Sequence, residues 1–354
     1  MPGTGLTGCP RQALPSVAQC VNIRRENRVP HDGNRHSVGR TPRGHVTCPG
    51  GSEERSGDSG RTQGVVLSQT PFLRSAVFHF ASGDSLFTGC MLLVGTAIGA
   101  TLISRRAGPP RLVTLRRVVA GLGILLVLLS ATPLSWPVAT AWGVAGVLTA
   151  RRPTVLRASL FTLVTLGIAA QEAATILRPL PPVPPEASIA VLGDSLSASQ
   201  SPHQPNWPEH FAKLSRGRQH VDNLAEPGAT VADAVVQGEK IPAGTDVVLI
   251  LIGGNDLLAG TAVAEFERQL ERLLAATCRP GRTVYLIELP LIPFKSGYGL
   301  AQRRLSQKHG AVLVTKRVLS RLLARLDSTT DGLHLSEVGS RRLAAQFDQR
   351  LRSR

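Results

Sequence analysis

Apolar and polar positions are distributed in three different ways along the 354 residues. Residues 1–84 hold no sustained period of 2 or 3.6 and are rich in Gly, Pro, Ser and Arg. Such a stretch cannot bury enough apolar surface to offset its ordering entropy, and it reads as a disordered or non-native extension. No apolar core follows Met1 at signal-peptide distance, and the only other methionine is Met91. Residues 85–177 are dominated by long uncharged runs. Residues 188–354 alternate short apolar runs with amphipathic segments, a 167-residue stretch of ordinary single-domain size.

The middle region predicts membrane helices. Twenty uncharged residues separate Asp84 from Arg105, about 30 Å of helix and one hydrocarbon thickness. Thirty-three more run from Val118 to Ala150 and are broken by Pro133-Leu134-Ser135-Trp136-Pro137, which predicts two short spans, 118–133 and 136–150. A fourth span is expected over Ala158–Leu177, with Gln171 and Glu172 near its end. Arg105, Arg106, Arg111, Arg116 and Arg117 lie after the first run, and Arg151, Arg152 and Arg157 before the last. Four spans put both Arg groups on one side, which the positive-inside rule makes cytoplasmic. The protein is therefore expected to be an integral membrane protein with its C-terminal domain on the extracytoplasmic side. Residues 178–187, with five prolines between Arg178 and Pro185, predict a semi-rigid linker that lifts that domain off the bilayer.

In the C-terminal domain, Ser188–Leu192, His220–Leu224, Asp246–Ile252, Thr283–Leu289 and Ala311–Val314 read as strands. Val231–Gly238, Val263–Ala276, Gly299–His309, Arg317–Leu326 and Glu337–Leu351 read as helices. Strands apolar throughout are buried on both faces, so the fold class is α/β with a parallel sheet covered by helices. Ligands then sit beyond the carboxyl ends of the strands.

Composition narrows the chemistry. The net charge is +16, but its densest part is the 9 Arg against 2 acids of residues 86–187, where membrane topology accounts for it. With 4 % aromatics there is little material for base stacking, so nucleic acid is not an expected partner. Three of the five cysteines (Cys9, Cys20, Cys48) lie in the first region, and Cys278 is the only one in the last. No His/Cys/Asp cluster has metal-ligand spacing, and no metal or cofactor is implied.

Four motifs fall where the strands should end. Gly193-Asp194-Ser195 follows the first strand and suits a sharp turn presenting a serine hydroxyl. Gly228 follows the second, in a loop opening a helix, where the absence of a Cβ lets an N–H approach a ligand. Gly253-Gly254-Asn255-Asp256 follows the third, and the Asn255 amide can donate into the same space. Asp331-Gly332-Leu333-His334 precedes the last helix, with the carboxylate placed to hold the imidazole tautomer. His203, His210, His220 and His309 are expected to lack such a carboxylate partner nearby.

This ordered set resembles the SGNH hydrolases, also called GDSL esterases/lipases, over about 188–354, and looks closest to their thioesterase/lysophospholipase-like branch. The resemblance implies a flavodoxin-like three-layer α/β/α domain with about five parallel strands. It also implies Ser195 as nucleophile, His334 as base and Asp331 as orienting acid. The oxyanion hole would be the Ser195 N–H, the Gly228 N–H and the Asn255 side chain. That branch commonly has proline after the histidine, where this chain has Leu335.

The expected activity is hydrolysis of acyl or acetyl esters, small-molecule, lipid or glycan, by a membrane-tethered domain. The alternatives are an O-acyltransferase or deacetylase on a cell-envelope glycan, and a catalytically idle membrane-anchored binding module. Leu289–Tyr298, an apolar stretch after the fourth strand, reads either as a wall or lid for an acyl chain or as a packed surface loop.

Overall fold

In the computed structural model, the described residues are 71–103, 110–151, 154–198, 204–216 and 218–351. All belong to one unit spanning Gln63–Arg354. The expectation of disorder over residues 1–70, with Cys9, Cys20 and Cys48, lies outside them.

Five helices come first: α1 (Pro71–Ala81), α2 (Asp84–Ile103), α3 (Pro110–Leu129), α4 (Trp136–Arg151) and α5 (Val155–Leu177). Helix α1 corrects the reading of residues 71–84 as disordered. Its Phe78 packs on the core of the C-terminal domain, so tertiary burial supplies what local periodicity did not reveal. The Arg-rich loop is shorter than expected, because Pro110 starts α3 and takes Arg111, Arg116 and Arg117 into the helix. Helices α3 and α5 are long and apolar enough to cross a membrane; α1 and α2, bent by 85°, add a third span if counted as one. Helix α4, with 16 residues, is shorter than a span ordinarily needs. Leu86, Cys90, Leu93, Val127, Trp142, Phe161 and Ile168 form the apolar centre of α2–α5.

The C-terminal domain follows as β1 (Ser188–Gly193), α6 (Trp207–Leu214), β2 (His220–Asn223), α7 (Val231–Glu239), β3 (Val247–Leu251), α8 (Gly254–Ala259), α9 (Val263–Thr277), β4 (Thr283–Ile287), α10 (Ser296–His309), β5 (Val312–Val314), α11 (Arg317–Leu323) and α12 (Glu337–Leu351). The strands form one parallel sheet in the order β2-β1-β3-β4-β5. Alternate residues feed two cores. Ile189 and Val191 face Trp207 and Phe347 on one side. Ala190 and Leu192 face Phe266, Leu270 and Leu273 on the other. This is the expected three-layer α/β/α arrangement. Strand order reverses between β1 and β3, the switch point where such sheets bind ligands.

The proline-rich segment does not stand free. Val183 N–H donates to Leu351 O at 2.6 Å, the Tyr285 hydroxyl donates to Pro181 O at 2.6 Å, and Val183 is buried. Far from being lifted off, the domain meets the helices directly at the carboxyl edge of β4 and β5. Arg303 of α10 binds Glu172 of α5 through two nitrogens, at 2.6 and 2.9 Å, and Glu288 at 2.7 Å. Lys316 Nζ donates to Ala131 O at 2.7 Å, in the turn after α3, and lies 3.8 Å from Glu288. Arg317 pairs with Asp84 at the start of α2. Burial alone would push the Glu288 carboxyl up; Lys316 and Arg303 outweigh it and hold Glu288 below its ordinary value. Burial lowers Lys316 despite Glu288.

Candidate active site

Gly193 ends β1 where only glycine fits: a Cβ there would stand 2.7 Å from Leu251 O and 2.9 Å from Ser197 Oγ. The chain then turns sharply. Ser197 and Ala198 N–H both donate to Asp194 O at 2.9 Å, and Leu196 N–H donates to the Asp194 carboxylate at 3.0 Å. Ser195 occupies the second position of this turn. Gln237 of α7 clamps the base of the turn. Its Oε1 accepts from Gly193 N–H and its Nε2 donates to Gly193 O, each at 3.0 Å. Trp207 Nε1 donates to Ser197 Oγ at 3.1 Å, and Asn223 Nδ2 to Ser197 O at 2.9 Å. Asp194 is buried, which pushes its carboxyl up to about 6 against the bond from Leu196 and the nearby charge of His334.

The loop after β2 is tied to this turn through Glu226 N–H, which donates to Gly193 O at 3.2 Å. Gly228 has φ +78°, and the space where its Cβ would stand is open. Asn255, one residue into α8, donates from Nδ2 to Ala229 O at 2.8 Å. An amide carries two N–H groups, so one stays available for a ligand. Asp256 accepts from Val231 N–H at 2.9 Å, joining α8 to the start of α7, and its carboxyl is raised by burial. The loops after β2 and β3 are thus bonded together beside the serine turn. Gly253 has φ +106° and stands so close to Phe266 and Leu289 that a Cβ would lie 2.8 and 3.0 Å from them.

Asp331 and His334 are in direct contact. Asp331 Oδ1 accepts from the backbone N–H of Leu333 at 2.9 Å and of His334 at 2.7 Å, while Oδ2 meets His334 Nδ1 at 2.5 Å. Partial burial opposes ionisation, but those three bonds hold the Asp331 carboxyl down to about 2. An ionised carboxylate only accepts, so Nδ1 carries the proton and Nε2 of the neutral ring is left as acceptor. Thr329 and Leu335 bridge the loop, and Arg74 of α1 donates to Leu323 O and Thr329 Oγ1, each at 2.6 Å, at its base. Leu335, next to His334, lines one cleft with Ser195, Ala198, Asn206 and Ser340. His220 does have a carboxylate, Asp222 at 3.0 Å, but it opens β2 at the amino edge of the sheet. Sequence reasoning missed Gln237 and Arg74. Gln237 was findable, since helical spacing puts it on the buried face with Val231 and Ala234.

A sheet with this edge fits a serine ester hydrolase. Residues 191–342 match the model of the GDSL-like lipase/acylhydrolase family. Among solved structures, similarity is found to TesA (22 % identity, TM-score 0.42, covering 46 % of this chain and 97 % of that one). It extends to the psychrotrophic esterase EstA from Pseudoalteromonas sp. (20 %, 0.42, 46 % and 96 %). The SGNH-hydrolase family esterase AlinE4 is also similar (22 %, 0.38, 46 % and 94 %). No curated protein matches the chain.

Proposed function

We propose that the protein is a membrane-anchored esterase in which Ser195 attacks an acyl or acetyl ester carbonyl. His334 Nε2 takes the serine proton and returns it to the departing alcohol, and water then releases the acyl group by the same route. Asp331 fixes the imidazole and balances the charge it gains. The Ser195 N–H, the Gly228 N–H and the free Asn255 N–H receive the oxyanion. The observation carrying this reading is the 2.5 Å Asp331–His334 pair on a loop whose next residue shares a cleft with Ser195.

Anchoring draws support from the two long apolar helices. The start of α2, the turn after α3 and Glu172 near the end of α5 all meet the catalytic domain, while the Arg-rich segments follow α2 and precede α5 at the opposite helix ends. That arrangement agrees with Arg inside and catalysis outside.

The test uses the full chain in detergent or vesicles with p-nitrophenyl esters and a fluorophosphonate probe. Ser195→Ala is expected to lower kcat by about 10⁴-fold or more and to abolish covalent labelling. Equal turnover by variant and parent would overturn the assignment.

A further inference from the structure

The loop joining β4 to α10 ends on the face of the domain that meets the helices, and it is built against its own local stability. Phe294 has φ +67°, a left-handed conformation that is strained for a bulky L-residue. Phe294 is 84 % exposed, so no core contact offsets that strain, and Ile292 two residues earlier is 52 % exposed. The loop's other end is firmly seated. Leu289 and Leu291 are buried in the sheet's core with Ala131, the residue that accepts the Lys316 bond. The Tyr298 hydroxyl donates to Thr261 O. Gly299 packs against Pro133, whose ring would lie 3.5 Å from a Cβ at that position. Three residues beyond Pro133, Trp136 opens α4 with 81 % of its surface exposed.

We infer that Ile292 and Phe294, with Lys295 beside them and Trp136 at the helix end, form a contact surface for the lipid headgroup layer of the bilayer that houses α2–α5. This rests on the anchoring reading proposed above. Continuity names the occupant: the tip is joined, through Leu291, Gly299 and Pro133, to the turn from which α3 and α4 enter the bilayer. A tryptophan at that turn suits the headgroup level, and lysine beside an inserted aromatic suits anionic headgroups. Insertion would bury the phenylalanine surface that is now exposed and so offset the strained backbone. The contact would seat the edge that carries Asn255 against the membrane surface.

The test is depth-dependent quenching. The full chain, its five cysteines replaced by alanine, carries Phe294→Cys or, separately, Leu125→Cys in the apolar C-terminal half of α3, each labelled with bimane. Both are reconstituted in phosphatidylcholine/phosphatidylglycerol vesicles. At position 294, headgroup and shallow nitroxide lipids are expected to quench at least twofold more than aqueous iodide. At position 125, deep acyl-chain nitroxides should quench. Strong iodide quenching at 294 with lipid quenching at 125 overturns this inference alone. Protection from both quenchers at 294, as if a second copy covered the tip, also overturns it. Absence of lipid quenching at 125 removes the anchoring reading and this inference with it.

Discussion

Asp194 is the residue whose position in the motif says least about its state. Its neighbour is the proposed nucleophile, yet Asp194 is buried and its carboxyl stands at about 6, above the ordinary value of 3.8. The folded protein therefore holds this proton more tightly than the unfolded chain. Between about pH 4 and pH 6 the contribution of Asp194 to stability falls as pH rises, by about 3 kcal/mol in all, and is constant above. Asp194→Asn keeps an oxygen for Leu196 N–H and removes the titration. The thermal midpoint of the variant minus that of the parent is expected to grow from pH 4 to pH 6 and then level off. A difference independent of pH would mean that the turn is hydrated. Asp331 behaves oppositely: held at about 2, it stays ionised throughout the range in which an esterase would be assayed, so the acid limb of a pH–rate profile should contain no contribution from it.

At the scale of elements, the site is three strand ends joined by hydrogen bonds, and its two positive-φ glycines serve different ends. At Gly253 a Cβ would meet Phe266 and Leu289 as well as impose a left-handed backbone, so Gly253→Ala is expected to cost about 2–4 kcal/mol and to lower the thermal midpoint clearly. At Gly228 the space is open, so Gly228→Ala should cost only about 1 kcal/mol while placing a methyl beside the N–H proposed to receive the oxyanion. Its kcat on p-nitrophenyl esters should fall by at least tenfold with KM little changed; equal effects of both variants on stability would contradict this division. The strands were legible in the sequence because each is a short apolar run bounded by turn residues. Helix α6 was not, since Trp207-Pro208-Glu209-His210 shows little apolar period and is held by Trp207 packing on Phe347. The break between α3 and α4 was legible from its prolines, but not the start of α3 at Pro110.

At the scale of the whole molecule, the decisive feature is the charge cluster between α5 and the catalytic domain. Glu172, Arg303, Glu288 and Lys316 are largely withdrawn from water and satisfy one another. Arg303→Met would leave two buried carboxylates without their shared cation, at an expected cost of about 3–5 kcal/mol. For a domain of this size that is on the order of 10 °C in the thermal midpoint. Adding Glu172→Gln to Arg303→Met should recover part of the loss, because one stranded charge disappears. No recovery would show that Glu172 is hydrated and the contact is not a buried pair.

The sequence by itself determined what short-range interactions decide: the apolar runs that become helices and strands, the glycines at strand ends, and the Asp331–His334 pair, whose members are three residues apart. The proposed catalytic set is likewise an order of motifs along the chain. Only the tertiary structure decided which loops touch, that the proline-rich segment lies packed on the domain, and that Arg303 reaches Glu172 across 131 positions. The physical reason is that such contacts are selected by the packing of the assembled sheet and helices, and a residue's neighbours in the chain carry no record of partners that distant.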